Sequence, residues 1–199
     1  MRVFIALDID DAIRERIQRF MDGVRGFAPD ARWVRPESLH VTLKFVGEKP
    51  AETVNEIKAA LSIQAETMEI TFRGCGFFPG AKAPRVFWVG IESGPQLAAL
   101  ATAVDTATAA LGIPKEEHAF SPHLTLARGG GKSGAPKWRK GDGPNPTFQR
   151  LQEKLTVMSA PEFGTMTARE FFLYQSQPMR GGSRYTKIAR FPLGPATGL

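Results

Sequence analysis

Residues 40–45, His-Val-Thr-Leu-Lys-Phe, share their pattern with residues 123–128, His-Leu-Thr-Leu-Ala-Arg. Both stretches begin with histidine, an apolar residue, threonine and a second apolar residue. An alternation of period two is typical of a β-strand that places histidine and threonine on one face and the aliphatic side chains on the other. The first stretch therefore predicts that Lys44 lies on the face of His40 and Thr42, and that Phe45 points to the opposite face.

The spacing within each motif suits a phosphate group. Alternate residues of a strand lie about 6.6 Å apart, from a rise of about 3.3 Å per residue. An imidazole and a hydroxyl at that separation can both bind phosphoryl oxygens, and the imidazole can also transfer a proton near neutral pH. A single His-x-Thr is equally compatible with an ordinary strand. The chain, however, has three histidines in 199 residues, and two of them begin the same pattern 83 positions apart, which favours a functional pair.

Composition indicates a soluble globular protein. Hydrophobic residues make up 42% and charged residues 23% of the sequence, which excludes disordered and fibrous classes. The single cysteine, Cys75, excludes an intramolecular disulfide framework, and no Cys/His cluster has zinc-ligand spacing. We find no signal-peptide core or membrane-spanning apolar run and therefore predict a cytoplasmic protein. The net charge of +6 favours a polyanionic partner.

Periodicity along the chain predicts recurring strand and helix units without a linker between domains. Residues 3–7 form an apolar run typical of a buried strand, and a helix capped by Asp8 or Asp10 should follow it and end near Gly26. Glycine and proline predict a loop over 74–84. Further helices are predicted to begin at Pro50 and Pro95 and to cover 147–157. Further strands are predicted over 31–35, 68–73, 86–91, 163–167, 171–175 and 184–191.

Several aromatic and basic residues have two interpretations. Trp33, Phe77 and Phe78 could belong to the core, which is the commoner location, or could stack on a base. His118 is predicted to be solvated. The basic residues of the C-terminal strands could form a solvated face or bind phosphate; they are Arg180, Arg184, Lys187 and Arg190.

The segment 129–146 is rich in glycine, proline and lysine and predicts a basic loop that could follow an RNA backbone. Its basic residues are Lys132, Lys137, Arg139 and Lys140. The Gly-Lys-Ser at 131–133 is not a nucleotide-binding P-loop, because that motif requires glycine at position 126, where the chain has Leu126.

These elements predict an α+β fold of two packed lobes, each contributing one His-x-Thr strand to a cleft. The chain also resembles the two-histidine (2H) phosphoesterase superfamily, and within it the RNA 2′,3′-cyclic phosphodiesterases, or 2′-5′ RNA ligases. The resemblance covers residues 2–7, 39–48, 122–128, 173–176, 185–186 and 191–193.

The resemblance implies one domain over residues 1–199, bilobal and pseudo-two-fold, with two antiparallel sheets lining a central basic cleft and helices on the outer faces. It also implies metal-independent hydrolysis of an RNA-terminal 2′,3′-cyclic phosphate to a 2′-phosphomonoester, without a cofactor. At the matching positions, His40 would be the proton donor and His123 the proton acceptor, while Thr42 and Thr125 would hold the phosphate.

The chemistry of the residues agrees with those implied roles. In-line attack on a cyclic phosphate needs a base on one side of phosphorus and an acid on the other, and two imidazoles can supply both. The expected partner is RNA ending in a cyclic phosphate, including tRNA fragments or small cyclic nucleotides, and the default oligomeric state is a monomer. Two alternatives stay open: a non-catalytic RNA- or nucleotide-binding module, and a reversible 2′-5′ RNA ligase.

Overall fold

The computed structural model describes residues 1–129 and 146–195. The strands are β1 (Arg2–Leu7), β2 (Arg32–Trp33), β3 (Val41–Glu48), β4 (Met68–Phe78), β5 (Val86–Ser93), β6 (His123–Arg128), β7 (Glu162–Ala168), β8 (Glu170–Met179) and β9 (Gly182–Pro192). The α-helices are α1 (Asp11–Val24), α2 (Ala51–Ala60), α3 (Pro95–Ala109) and α4 (Gln149–Thr156). The predicted starts near Asp10, Pro50 and Pro95 are confirmed.

The strands form two sheets, and each sheet receives one His-x-Thr motif. The first sheet has the order β3-β1-β8-β9, and the second has the order β2-β6-β5-β4-β7. All strand pairings within both sheets are antiparallel. The predicted α+β fold with two antiparallel sheets is therefore confirmed. His40 lies one residue before β3, whereas His123 is the first residue of β6.

One continuous apolar core joins the two sheets and the helices. Helix α1 packs on β7 and buries Ile13, Ile17, Met21 and Val24, which recur at helical spacing. Each such fully buried side chain contributes roughly 1.5–3 kcal/mol to folding. Helix α3 packs against β3 and so supports the first motif from behind. Among the described residues, no helix is long and apolar enough to cross a membrane.

The predicted directions of Lys44 and Phe45 are wrong because β3 contains a β-bulge. Ala6 of β1 pairs with Thr42, but the preceding Ile5 pairs with Lys44, which leaves Leu43 as an extra residue. An extra residue reverses the alternation that follows it. Lys44 is consequently only 2% exposed, whereas Phe45 is 60% exposed.

The predicted loop over 74–84 begins too early. Strand β4 continues to Phe78, so that Phe77 and Phe78 pair with Phe87 and Val86 of β5. The pairing is irregular between Phe72 and Cys75, and Gly74 within this interval has a φ of +71°, a conformation that favours glycine. Here glycine marks a bulge inside a longer strand and not the end of a strand.

Two of the aromatic residues with alternative interpretations belong to the core. Trp33 packs edge-on against Phe87, and its indole nitrogen donates a hydrogen bond to the Ala28 carbonyl. Phe77 stacks on Phe87 and also contacts Phe148. Both residues are partly buried and pack against the core.

Candidate active site

The imidazole of His40 is fixed by the turn that precedes it. Its Nδ1 lies 2.7 Å from the main-chain oxygen of Ser38, the last residue of the 3₁₀ turn Pro36–Ser38. A carbonyl oxygen can only accept, so Nδ1 carries the hydrogen of the neutral ring. The other ring nitrogen, Nε2, is thereby the one that can take up or release a proton.

His123 repeats this arrangement in the second motif. Its Nδ1 lies 2.9 Å from the main-chain oxygen of Ser121, again two residues earlier in the chain. The same argument assigns the hydrogen to Nδ1 and proton exchange to Nε2. The edge of the ring packs against Phe78 at a centroid distance of 4.9 Å, so Phe78 supports the second histidine.

Folding brings the two motifs together. Strands β3 and β6 belong to different sheets but contact each other. The charges of Arg128 and His123 both lower the pKa of His40, and the charge of Arg128 also lowers the pKa of His123. Thr42 and Thr125 follow their histidines by two residues and are both half-buried. Folding therefore brings the strands of the two predicted histidines next to each other.

Both motifs contain a bulge at the leucine that follows the threonine. In β6, Trp88 of β5 pairs with Thr125 and Phe87 pairs with Ala127, so that Leu126 is the extra residue, as Leu43 is in β3. Each bulge sends two successive residues to the buried side and returns the next one to the cleft. That residue is Phe45 in the first motif and Arg128 in the second.

Phe45 and Arg128, the residues that follow the two bulges on the cleft side, differ in chemistry. The Phe45 ring lies 6.1 Å from the ring of Phe4, which itself lies 4.8 Å from the imidazole of His40. Arg128 is half-buried, its charge acts on both histidines, and within the described chain it has no ion-pair partner. The motif search missed both residues, because the i+5 position shows no shared residue type and a bulge leaves no mark in a single sequence.

Lys44, which the first bulge turns inward, connects the first motif to the approach of the second. Its ammonium forms an ion pair with Asp105 of α3 and donates a hydrogen bond of 2.9 Å to the Pro114 carbonyl. The segment from Pro114 leads to Ser121 and His123. The Lys44 side chain is buried whereas that of Asp105 is partly exposed, and these two contacts hold the bulge in its register.

Burial controls the protonation of both histidines. It lowers the pKa of His40 to about 4, because the charged imidazolium loses hydration; the hydrogen bond to Ser38 opposes this change and the charge of Arg128 adds to it. Burial likewise lowers the pKa of His123, against the hydrogen bond to Ser121 and together with Arg128. The cleft therefore favours the neutral form of both rings.

The remaining candidates lie elsewhere. His118 is exposed, as predicted. Within residues 1–129 and 146–195, no group of three or more His, Cys, Asp or Glu side chains is arranged to hold a metal ion. The basic loop prediction, with Lys132, Lys137, Arg139 and Lys140, lies outside the described residues.

Comparison with known proteins places the chain in a family. A profile of LigT-like phosphoesterases matches it over residues 7–88 and again over 89–185, so that each match contains one His-x-Thr motif. The chain is 34% identical over 192 residues to an RNA 2′,3′-cyclic phosphodiesterase of Archaeoglobus fulgidus, covering 96% of this chain and 99% of that protein. A protein of the same name from Methanothermobacter thermautotrophicus is 30% identical over 97% of this chain and 99% of its own length.

Solved structures agree in fold. A crystal structure described as a phosphoesterase superposes with a TM-score of 0.75 at 27% identity and covers 97% of this chain and 98% of its own. Escherichia coli LigT complexed with 3′-AMP superposes with a TM-score of 0.73 at 27% identity and covers 96% of this chain and 97% of its own. On the profile matches and the near-complete alignment with these relatives, the chain belongs to the LigT-like phosphoesterase family.

Proposed function

We propose that this protein hydrolyses the 2′,3′-cyclic phosphate at the 3′ end of RNA and leaves a 2′-phosphomonoester, without a metal ion. The observation that carries the proposal is the matched pair of imidazoles, each with Nδ1 bonded to a main-chain carbonyl two residues back and Nε2 available for proton transfer. The names of the relatives from Archaeoglobus and Methanothermobacter support the choice of substrate.

In the proposed reaction, Nε2 of His123 accepts a proton from a water molecule as its oxygen attacks phosphorus. The bond between phosphorus and the 3′-oxygen breaks on the opposite side, and Nε2 of His40 donates a proton to that oxygen. The products are a 2′-phosphate and a 3′-hydroxyl. Each imidazole ends in the protonation state that the other held at the start, and exchange with solvent resets them.

Three further groups would stabilise the transition state. The hydroxyls of Thr42 and Thr125 are proposed to hold the non-bridging oxygens, where negative charge increases as the ring opens. Arg128 is proposed to bind the same oxygens, since a half-buried guanidinium without a carboxylate partner in the described chain is free to bind an anion. All three groups act on charge that grows during the reaction, so they lower the barrier more than they tighten binding.

As the general acid, His40 must be protonated. Its low pKa in the free protein disfavours the protonated form near neutral pH. A cyclic phosphate carries one negative charge. At about 4 Å and an effective dielectric constant of about 20, this charge attracts an imidazolium by about 4 kcal/mol, which raises its pKa by about three. The pKa of His40, about 4 in the free protein, would then lie near neutral pH. Substrate binding itself would therefore protonate His40.

This coupling predicts two different pH profiles. The kcat/KM profile reports the free enzyme and the kcat profile reports the complex. Because the bound phosphate raises the pKa of the acid, we expect the alkaline limb of kcat at higher pH than the alkaline limb of kcat/KM. Initial rates between about pH 4 and about pH 10 will measure both limbs. Coincident alkaline limbs would contradict the proposal that the bound phosphate raises the pKa of His40. Binding without any turnover would favour the non-catalytic module.

Treatment with a chelator tests the metal-independent scheme. We expect full activity after extensive dialysis against EDTA, because the two imidazoles supply both the acid and the base. Initial rates before and after dialysis, with and without added zinc, will measure this. A loss of activity that zinc restores would show that the acid–base scheme is wrong.

A direct test of the proposed function uses a short RNA with a 2′,3′-cyclic phosphate terminus in metal-free buffer. The expected product is the 2′-phosphomonoester, which resists a 3′-specific phosphatase. Appearance of the 3′-monoester would show that the 2′-oxygen leaves and that the proposed leaving group is wrong. Recovery of the intact cyclic phosphate would contradict the proposed function. Addition of an RNA with a free 5′-hydroxyl to the same reaction tests the ligase alternative.

A further inference from the structure

We propose that the cavity beside His40 binds the phosphodiester that joins the terminal nucleotide of the substrate to the nucleotide before it, with Arg35 and Arg184 as its ligands. This inference rests on the proposed function and extends it from the reacting phosphate to the RNA chain. It makes the preferred substrate an oligonucleotide with at least one upstream phosphate, and not a cyclic mononucleotide.

The cavity has a volume of about 350 Å³ and opens next to the reacting histidine. This size lies within the range of small-molecule pockets. His40 and Tyr185 form the wall toward the reaction centre, with their rings edge to face at a centroid distance of 5.3 Å. Arg184, the residue before Tyr185 on β9, also lines the cavity. A chain that leaves the terminal ribose beside His40 can therefore enter the cavity directly.

Arg184 lines the cavity, and Arg35 lies on a neighbouring segment without lining it; we call these two arginines the rim. Arg35 immediately precedes the turn Pro36–Ser38 that positions His40, and Arg184 lies near the β8–β9 turn. The two segments are close, because a Cβ atom at Gly181 would lie 3.6 Å from Nη2 of Arg35. Both arginines are exposed, and neither forms an ion pair with any described residue.

The charge around the cavity favours an anion. Two carboxylates line it, those of Asp8 and Glu37. The Asp8 carboxylate is already neutralised, because it bonds Arg14 and Lys187 at 2.5 Å each. The exposed Glu37 then shares the cavity lining with Arg184, and Arg35 immediately precedes the turn that carries Glu37. A guanidinium matches two phosphate oxygens with its fork of donors, so a phosphodiester satisfies this rim better than a neutral group does.

A cyclic mononucleotide would leave this site unused. Its only phosphate would occupy the centre between His40 and His123, and it has no second anion for Arg35 and Arg184. A dinucleotide ending in a cyclic phosphate supplies that second anion. A comparison of substrates with one and with two phosphates therefore distinguishes the contribution of the rim from that of the reaction centre.

The test compares adenosine 2′,3′-cyclic phosphate with the dinucleotide ApA that carries the same terminus. For the wild type, we expect kcat/KM to be at least about tenfold higher for the dinucleotide, the gain from one charge-assisted hydrogen bond. The double variant Arg35→Ala/Arg184→Ala should lose this preference through KM, with a loss about tenfold larger for the dinucleotide than for the mononucleotide. The salt dependence of the dinucleotide KM should also weaken, by a slope of about 0.7 for each lost phosphate contact.

Arg169→Ala is the matched control, because Arg169 is an exposed arginine on a second cavity, which His40 does not line. It should keep the wild-type preference. Equal losses on both substrates in the double variant, or no loss on the dinucleotide, would overturn the inference. Calorimetric binding of 2′-AMP and of ApA 2′-phosphate tests the rim even if neither cyclic substrate reacts. Absence of turnover contradicts the proposed function, whereas equal affinities contradict only the rim site.

Discussion

Alanine in place of His40 or of His123 is expected to lower the turnover of an RNA 2′,3′-cyclic phosphate by about 10²- to 10⁴-fold, the usual contribution of a general acid or base. Both rings are already oriented by a main-chain carbonyl at Nδ1, so the loss should fall on kcat and not on KM. Single-turnover rates with saturating enzyme will isolate the chemical step from product release.

The third histidine provides the control for this experiment. His118 is exposed, and His118→Ala should keep a turnover number within about twofold of the wild type. The double variant His40→Ala/His123→Ala should be only slightly slower than either single variant, because an acid and a base that act in one step are not additive. A single variant within about threefold of the wild type would remove that histidine from the mechanism.

Arg128→Ala is expected to lower kcat by about 10²- to 10³-fold, the cost of removing one charged donor from a transition state. Arg128→Lys should recover part of the rate, since lysine keeps the charge but loses the paired donors. The arginine charge lowers the pKa of both histidines, so the alanine variant should also raise both. Kinetics together with imidazole NMR titrations of the same variants will measure the two effects.

Arg32 is a suitable control for this second prediction. It pairs with Arg128 across β2 and β6 but is exposed, and Arg32→Ala should hydrolyse a cyclic mononucleotide within about threefold of the wild-type rate. If Arg128→Ala raised the histidine pKa values and left kcat unchanged, Arg128 would tune protonation without binding the transition state.

The sequence predicted what depends on local periodicity. The strand over residues 3–7 follows from its continuous apolar run, and the helix after Asp10 and the duplicated His-x-Thr strands follow from spacing, since period-3.6 and period-two patterns are set by backbone geometry. The grouping of His40 and His123 required a further inference from their repetition. The resemblance to a known family supplied the roles of acid and base, which spacing could not distinguish.

The errors arose where pairing between distant strands overrides the local pattern. The sequence pattern predicts the wrong face for Lys44, because the bulge at Leu43 depends on how β1 pairs with β3. The pattern predicts a loop at Phe78 because Gly74 interrupts the alternation, whereas pairing with β5 keeps β4 extended beyond Gly74. Arg128 was visible in the sequence, but its position beside both histidines depends on the second bulge. Each of these positions is fixed by a partner strand far away in the sequence.

The residues that follow the two matched bulges determine in which of two orientations a ligand binds in the cleft. Two halves built on one plan would present a ligand with equivalent surroundings from either side, so nothing would distinguish its two orientations. At the sixth residue of each motif, one half presents an apolar ring and the other a fixed cation, Phe45 and Arg128. This difference gives the cleft a polarity.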